Sequence, residues 1–263
     1  MFSAKLCIFC GQPAGNREHI VGKWLLNDLN LYSIKTKLGF GNQTKTGEMD
    51  EIVEPCQLGG CVTDEVCASC NNGWMSGLES EVKPLLSPLL ADPWPANDRP
   101  LFAALFVKSY IISQWLLKTA CTFGTKVSCD VPDYIRSELF HGRLHPEIMV
   151  DMSCNRESGF YIGMSRTWVC YVKGKLDSMA VPDHSFRFVW QLRHLAMRVA
   201  YFPNCEKLMT RPRFPVRLRP KFQIPPDIKI DGVIKRAYHY ETLQEVEHDT
   251  VYTPKGEYVP FRK

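Results

Sequence analysis

The sequence predicts an α+β fold in two parts, a small cysteine-rich module followed by a larger domain of helices and strands. Two Cys-x-x-C pairs and several glycine-rich turns lie within the first 80 residues. Prolines then recur at positions 84, 88, 93, 95 and 100, which indicates a linker. Beyond them a helical period gives way to β-type segments. We therefore predict a module over residues 1–83, a linker over 84–100 and an α+β domain over 101–263.

The larger domain begins with a predicted helix and continues into predicted antiparallel strands. Apolar residues recur at Leu101, Leu105, Ile112 and Leu116, which is the helical period. The remaining elements that the pattern predicts are a helix over 132–139, strands over 159–164, 168–172 and 185–190, and a helix over 190–201.

Composition excludes several classes of protein. The chain has 263 residues, of which 45% are hydrophobic and 23% charged, so a disordered, fibrous or collagen-like protein is not indicated. Its first residues lack a basic start followed by an apolar stretch, so no signal peptide is predicted and a cytoplasmic location is expected. The longest apolar run, 101–117, is interrupted by polar residues and is shorter than the ~20 residues of a membrane-spanning helix, so no membrane partner is expected.

Cysteine spacing predicts a structural zinc site. The chain has eleven cysteines, and in a reducing cytosol clustered cysteines indicate metal rather than disulfides. Cys7 with Cys10, and Cys67 with Cys70, form the two Cys-x-x-C pairs. Each pair presents two thiolates from one tight turn, and four sulfurs complete a tetrahedral Zn²⁺ site with no open position for substrate. We predict that this zinc joins two distant chain segments.

A second set of four cysteines is an alternative. Cys56 and Cys61 can replace the N-terminal pair in a local quartet with Cys67 and Cys70. A C-x4-C spacing makes a poorer metal-binding turn than C-x-x-C, and this alternative leaves Cys7 and Cys10 without a role. The first set is preferred, and the alternative stays open.

The residues around the cysteine pairs carry a resemblance to a known family. Glu18-His19-Ile20 follows the first pair, and the second pair runs directly into Asn71-Asn72-Gly73-Trp74-Met75-Ser76. This order resembles the zinc-containing branch of the HNH endonucleases, and the string from Val66 to Glu79 is similar to an uncharacterised bacterial group within it. The motifs cover about residues 5–80.

The resemblance implies a treble-clef-like ββα-metal nuclease module with a catalytic divalent ion. By position in the motif, Glu18 and Asn71 are implied as ligands of Mg²⁺ or Mn²⁺ and His19 as the general base. These residue types suit phosphodiester hydrolysis, which needs a base for water and a cation for the phosphate. Oxygen ligands suit Mg²⁺ or Mn²⁺. Asn71 stands where many members have histidine, and Asn72 is an alternative ligand.

Two further segments of the module are interpreted from their patterns. Trp74, Met75 and Leu78 are interpreted as the core face of a helix that starts near Asn71, whose N-terminus favours a phosphate. Glu79 lies two turns further on, too far from Asn71 to share an ion in a straight helix, and is interpreted as solvated or as a residue that supports a metal ligand without binding the ion. The long stretch 26–56 between the halves of the motif predicts an inserted loop or an extended hairpin whose tip contacts nucleic acid.

Charge is concentrated in the C-terminal part of the chain. Residues 187–236 contain twelve Lys and Arg against three acidic residues, whereas residues 1–80 contain six against nine. A bound polyanion would therefore be held largely by the C-terminal part, and a solvated basic surface is the alternative. The candidate nucleic-acid contacts are Arg193, Arg198, Arg211, Arg213, Arg217 and Arg219.

Taken with the resemblance, these residues favour a metal-dependent endonuclease that hydrolyses DNA. RNA shares the same site chemistry and remains a second substrate class. The rival hypothesis is a non-catalytic zinc module that binds nucleic acid or protein. Defence against phage or mobile DNA is a role that the resemblance suggests for a stand-alone bacterial protein, and no residue bears on it.

Overall fold

The computed structural model has mixed helix and strand structure with small antiparallel sheets, which confirms the α+β class. The chain divides into two compact units. The first consists of Met1–Leu38 and Val53–Pro146, and the second of Gly39–Ile52 and Glu147–Lys263. The residues that the structure describes are 5–43, 49–91, 104–105, 107–166, 184–201, 209–210, 216–218, 239–240 and 251–252.

The helices and strands of the described residues follow in chain order. The helices are α1 (Lys23–Asp28), α2 (Ala68–Cys70), α3 (Ser76–Leu86), α4 (Ser109–Lys126) and α5 (Asp133–Phe140). The strands are β1 (Asn16–His19), β2 (Lys35–Gln43), β3 (Met49–Gln57), β4 (Val62–Val66), β5 (Ile148–Arg166), β6 (Phe186–Tyr201), β7 (Met209–Thr210), β8 (Val216–Leu218), β9 (His239–Tyr240) and β10 (Val251–Tyr252).

A short two-stranded ribbon lies at the centre of the first unit. Strands β1 and β4 pair antiparallel, with Glu18 opposite Thr63 and His19 opposite Val62. Such a ribbon is marginal alone and needs packing partners. Helix α4 packs against both β4 and α3, and the Thr125 hydroxyl on α4 donates a 2.8 Å hydrogen bond to the Thr63 hydroxyl. The ribbon is therefore held from one side by α4.

Helix α4 is the buried helix that the apolar period predicted. Ile112 and Leu116 of the predicted stripe have no exposed surface, and Trp115 is 1% exposed. The stripe's first residue, Leu101, lies outside the described residues. Within the described part of the chain, no helix combines the length and apolar character needed to cross a membrane.

The first compact unit includes residues on both sides of the proline-rich segment 84–100. Pro84 lies inside α3, and a 3₁₀ turn follows at Pro88–Leu90. The range Val53–Pro146 of this unit includes positions 84–100 together with α4 and α5. The residues that follow the predicted linker thus supply helices to the same unit as the cysteine pairs.

The second unit contains β5, β6 and parts of β2 and β3. These strands belong to a larger sheet with strand order β3-β2-β5-β6, in which β8 and β9 also pair with β5. The stretch between the two halves of the motif therefore forms two neighbouring strands, β2 and β3. This is the extended hairpin, one of the two predicted alternatives. Strands β5 and β6 pair antiparallel from Ile148 opposite Tyr201 to Ser165 opposite Arg187. Their apolar side chains, including Trp190 and Phe188, form the core.

One predicted element is wrong and others are confirmed. The helix predicted over 190–201 lies entirely within strand β6, Phe186–Tyr201. Burial along β6 is nearly continuous, so its apolar residues fit a helical period as well as a strand, and pairing with β5 decides the conformation. The helix at 132–139 is confirmed within one residue. The segments at 159–164 and 185–190 are confirmed as strand, but they are parts of the longer strands β5 and β6, and the strand at 168–172 lies outside the described residues.

Candidate metal centre and adjoining charged cluster

The two Cys-x-x-C pairs come from tight backbone turns. After Cys7 the chain reverses, because the Gly11 N–H donates to the Cys7 carbonyl at 2.9 Å and the Cys7 N–H donates to the Gln12 carbonyl at 2.7 Å. Gly11 has a φ of +71°, a conformation in which a side chain would be strained. In the second pair, the Cys70 N–H donates to the Cys67 sulfur at 3.4 Å at the start of α2.

The four sulfurs meet in one cluster. The Sγ atoms of Cys7, Cys10, Cys67 and Cys70 all lie within 4.8 Å of one another, and those of Cys10 and Cys67 are 3.5 Å apart. Zinc–sulfur bonds of about 2.3 Å in tetrahedral geometry place sulfurs roughly 3.8 Å apart. The donor set and its spacing therefore fit Zn²⁺. A zinc ion held by these four sulfurs would have no open coordination position, so its role would be structural.

The thiols of the cluster differ in their acidity. Burial alone raises the pKa of Cys7, but backbone N–H groups of Cys10, Phe9 and Cys67 outweigh it and bring the pKa to about 7. Burial raises the pKa of Cys10 and of Cys70, and hydrogen bonds from neighbouring cysteines add to the rise. The raised pKa values of Cys10 and Cys70 mean that a bound cation would favour the thiolate form of these two residues.

The alternative quartet does not assemble among the described residues. The cluster of Cys7, Cys10, Cys67 and Cys70 is the one group of three or more His, Cys, Asp and Glu side chains in that part of the chain with metal-ligand spacing. Cys61 is fully buried. Its burial, and to a smaller extent the neighbouring Cys56 thiol, raise the pKa of Cys61 to about 12. Cys56 and Cys61 are therefore neighbours of each other and not members of the zinc set.

Glu18 belongs to a buried charged cluster that the sequence did not predict. The Lys118 ammonium on α4 donates to Glu18 Oε1 at 3.1 Å and to Glu79 Oε1 at 2.8 Å. The Lys118 side chain is fully buried, and the side chains of Glu18 and Glu79 are 11% and 20% exposed. Of the two interpretations of Glu79, this contact favours a residue that contacts the partner of Glu18 over a freely solvated one.

Lys118 stays charged in this environment. Its burial lowers its pKa, but the nearby carboxylates of Glu79 and Glu18 more than offset that effect, so the pKa stands above its ordinary value. The signal in the sequence was a lysine within an otherwise apolar helical segment, between Leu117 and Ala120. A charge at such a position is rarely buried without a partner.

His19 adjoins this cluster along the chain. It is half-buried, and its Nδ1 atom is buried with no hydrogen-bond partner in the described part of the chain. Burial, together with the positive charges of Lys23 and Arg17, lowers the pKa of His19, while Glu79 acts in the opposite direction. The imidazole is therefore favoured in its neutral form, in which one ring nitrogen accepts a proton.

Gly22 makes room for the Glu79 carboxylate. A Cβ atom at position 22 would stand 3.0 Å from both carboxylate oxygens of Glu79 and 3.1 Å from Trp24 Nε1. Trp24 Nε1 is buried and has no hydrogen-bond partner within the described residues. The backbone at Gly22, in the turn after β1, is thus in close contact with the Glu79 carboxylate of α3.

Asn71 lies further into the helical segment than predicted. Helix α2 begins at Ala68, and Asn71 opens a π-helical turn that ends at Met75, so Asn71 is not at a helix N-terminus. Its N–H donates to the Cys67 carbonyl at 3.0 Å. Among the described residues, the Asn71 side chain forms no hydrogen bond with Glu18 or His19.

The neighbouring residues confirm part of the predicted core face. Met75 is 1% exposed, and Trp74 packs edge-on against Phe9 of the first cysteine pair at 5.1 Å. Asn72, the alternative ligand, is exposed. The helical segment therefore packs on the cysteine turns through Trp74.

The predicted nucleic-acid contacts are only partly within the described residues. Arg198 is 2% exposed in strand β6, and Arg193 is half-buried with a φ of +52°. Arg217 lies in β8. Arg211, Arg213 and Arg219 lie outside the described residues. A buried Arg198 does not present its charge at the surface, so a phosphate contact there would need a rearrangement.

Comparison with known proteins adds no assignment to this geometry. No protein-family profile, no curated protein and no solved structure matches the chain.

Proposed function

We propose that this chain is a metal-dependent endonuclease of the HNH type that hydrolyses DNA phosphodiester bonds. One observation carries the proposal. The four-cysteine cluster and the β1–β4 ribbon hold a buried carboxylate, Glu18, next to a half-buried histidine whose ring nitrogen has no partner in the described residues. The resemblance of the sequence around these residues to the HNH nucleases gives that pair its roles in a treble-clef-like ββα-metal module.

In the proposed reaction His19 acts as the general base. Its neutral imidazole takes a proton from water while the water oxygen forms a bond to phosphorus. The phosphorus–oxygen bond to the 3′ oxygen breaks, which leaves a 5′-phosphate and, after protonation from solvent, a 3′-hydroxyl. The low pKa of His19 keeps the base in its accepting form.

Glu18 and Asn71 are the residues that would hold Mg²⁺ or Mn²⁺. The Lys118 contact uses Oε1 of Glu18, which leaves Oε2 as the proposed ligand atom. When bound, the divalent ion supplies charge stabilisation for the phosphate and the leaving oxygen. Asn71 is half-buried and would contribute its amide oxygen. Oxygen donors of this kind suit Mg²⁺ and Mn²⁺.

The proposed substrate is DNA, held in part by the basic C-terminal residues. Counterion release from phosphates would make that binding salt-dependent. RNA is the second substrate class, because the same residues can act on either backbone. A cytoplasmic location and a role in defence against foreign DNA belong to the same proposal.

A non-catalytic zinc module is the second candidate function. The observation that favours it is the contact between Lys118 and Glu18. A carboxylate that neutralises a buried ammonium already has a structural role, and it needs no metal ion to explain it. In that case Glu18, His19 and Asn71 would serve only the fold, and the chain would bind nucleic acid or protein.

A plasmid-nicking assay separates the two candidates. Zinc-loaded wild type is incubated with supercoiled plasmid and with single-stranded RNA, in Mg²⁺ or Mn²⁺, beside His19→Ala. His141→Ala is the matched control, because His141 is exposed and, in the described part of the chain, its ring contacts the Ser137 carbonyl and the Phe140 ring and none of the proposed site residues. We expect the first substitution to abolish cleavage at unchanged zinc content and melting temperature, and the control to cut normally.

Each other outcome has a defined meaning. If wild type cuts neither substrate with either ion, the binding-module function replaces the nuclease. If His19→Ala cuts as well as wild type, a nuclease remains but His19 is not its base. Cleavage of RNA alone would assign the second substrate class.

A further inference from the structure

Lys118 and Glu79 are charged residues near the proposed centre to which the proposed reaction gives no role. They lie on different helices, α4 and α3, and are 39 positions apart in the chain. Lys118 lies outside the motifs that carry the resemblance to the HNH family, and Glu79 closes one of them without being given a role by it. Both nevertheless contact or border Glu18 and His19.

The geometry of Lys118 restricts the Glu18 carboxylate. The ammonium lies 3.1 Å from Glu18 Oε1, and its side chain has no exposed surface. Helix α4 is buried over most of its length on both sides of Lys118, so this ammonium has little room to move. A carboxylate bonded to a fixed, buried donor has a fixed orientation, which is the usual effect of partners behind a metal ligand.

Glu79 completes the arrangement. Its carboxylate is the nearer partner of Lys118, at 2.8 Å, and rests against Gly22 just beyond the end of β1. The carboxylates of Glu18 and Glu79 and the ammonium of Lys118 together carry a net charge of −1. A cation near Glu18 is attracted by that net charge, whereas Lys118 with Glu18 alone would be neutral.

We propose that Lys118 and Glu79 are positioning residues of the nuclease centre, in which Lys118 orients the Glu18 carboxylate and Glu79 maintains the negative charge that favours a divalent ion there. This inference rests on the proposed function. It extends the centre to α4, a helix that follows the proline-rich segment. Neither residue touches the substrate.

The test uses the full chain loaded with zinc, and measures Mn²⁺ binding as well as cleavage. Binding is followed by the relaxation of water protons in a Mn²⁺ titration, and cleavage by the rate at saturating Mn²⁺. Glu79→Gln brings the cluster charge to zero, while Glu79→Asp keeps the charge but withdraws the carboxylate by one methylene group. Lys118→Met makes the charge more negative.

Matched controls come from the exposed pair on the same two structural segments. Lys108 and Glu81 are 3.9 Å apart and about half exposed, so Glu81→Gln and Lys108→Met make the same chemical changes at the surface. We expect both to match wild type. Unchanged zinc content in every variant shows that the cysteine cluster is intact.

The expected results separate positioning from folding. Glu79→Gln should weaken Mn²⁺ binding about 10-fold and lower the saturated rate by about 10- to 100-fold, as loss of a partner behind a ligand does. Glu79→Asp should lower the rate while keeping Mn²⁺ binding close to wild type. Lys118→Met should bind Mn²⁺ more tightly and still cut more slowly, a divergence that a loss of folded protein does not produce.

Three outcomes show whether the inference fails, the proposed nuclease function fails, or both fail. If Glu79→Gln matches Glu81→Gln in both measurements, the cluster is only structural and the inference fails, whether or not Lys118→Met folds. If wild type does not cut but binds Mn²⁺ through Glu18, shown by loss in Glu18→Gln, the nuclease fails and weaker binding in Glu79→Gln still supports positioning. If wild type neither cuts nor binds Mn²⁺, both fail.

Discussion

Replacing Lys118 by methionine isolates the energetic weight of the buried charged cluster. Methionine is an unbranched side chain of similar length, so the change removes the ammonium with little change in packing. It leaves Glu18, whose side chain is 11% exposed, and Glu79, 20% exposed, without their cation. Two like charges then share a site that is largely shielded from water.

The magnitude follows from the burial of the three partners. Removing one member of a buried, hydrogen-bonded ion pair costs about 3–5 kcal/mol. Lys118 itself is fully buried, but Glu79 has some contact with water, so we expect the lower end, about 3 kcal/mol. For a chain of this size, 1 kcal/mol corresponds to about 2–4 °C, so the melting temperature should fall by roughly 6–12 °C.

The assay is urea unfolding of zinc-saturated protein followed by tryptophan fluorescence and circular dichroism. Lys108→Met is the control, since its partner Glu81 is 3.9 Å away at the surface and such pairs contribute at most about 1 kcal/mol. A second variant combines Lys118→Met with Glu18→Gln and Glu79→Gln. It removes the unpaired charges and should recover much of the loss.

Two results would refute this reasoning. A loss below about 1 kcal/mol in Lys118→Met would mean that the carboxylates find other partners or water, and that the cluster is not a stabilising feature. A triple variant as unstable as Lys118→Met would mean that lost packing, and not unpaired charge, causes the effect.

The remaining predictions concern the zinc cluster and Gly22. Chelation of zinc should unfold the first unit, seen as loss of helical circular dichroism that Zn²⁺ restores, because the β1–β4 ribbon is too short to persist alone. Cys7→Ser should lose zinc by elemental analysis while Cys56→Ser keeps it, and the reverse would revive the local quartet. Gly22→Ala should lower the free energy of unfolding by about 1–3 kcal/mol, since the new methyl group meets Glu79 at 3.0 Å; an unchanged urea midpoint would show that Glu79 moves aside freely.

The helices and strands were predictable where the pattern was local and unambiguous. The helix at 132–139 starts at a proline with an acidic residue in its first turn, and the structure has α5 at Asp133–Phe140. The segment 190–201 was not predictable in this way. Its apolar residues suit both periods, and only the pairing with β5, which lies more than 20 residues earlier in the chain, selects a strand.

The candidate site divides in the same manner. The glutamate and histidine of the motif were singled out from the sequence, and both lie on strand β1; their roles in catalysis remain a prediction. The partner of Glu79 was not predicted, because the sequence argument assumed a straight helix and asked only whether Glu79 reached Asn71. The π-helical turn at Asn71–Met75 breaks that assumption, and the inward partner of Glu79 comes from another helix.

By itself the sequence determined the four-cysteine cluster, because a Cys-x-x-C turn places two sulfurs side by side through backbone hydrogen bonds within a few residues. It also determined the α+β class and the buried character of α4. Only the tertiary structure decided that Lys118 joins Glu18 and Glu79, which lie 100 and 39 positions away in the chain. The physical reason is that a buried ion pair depends on which surfaces pack together, and no local pattern encodes the partner of a distant charge.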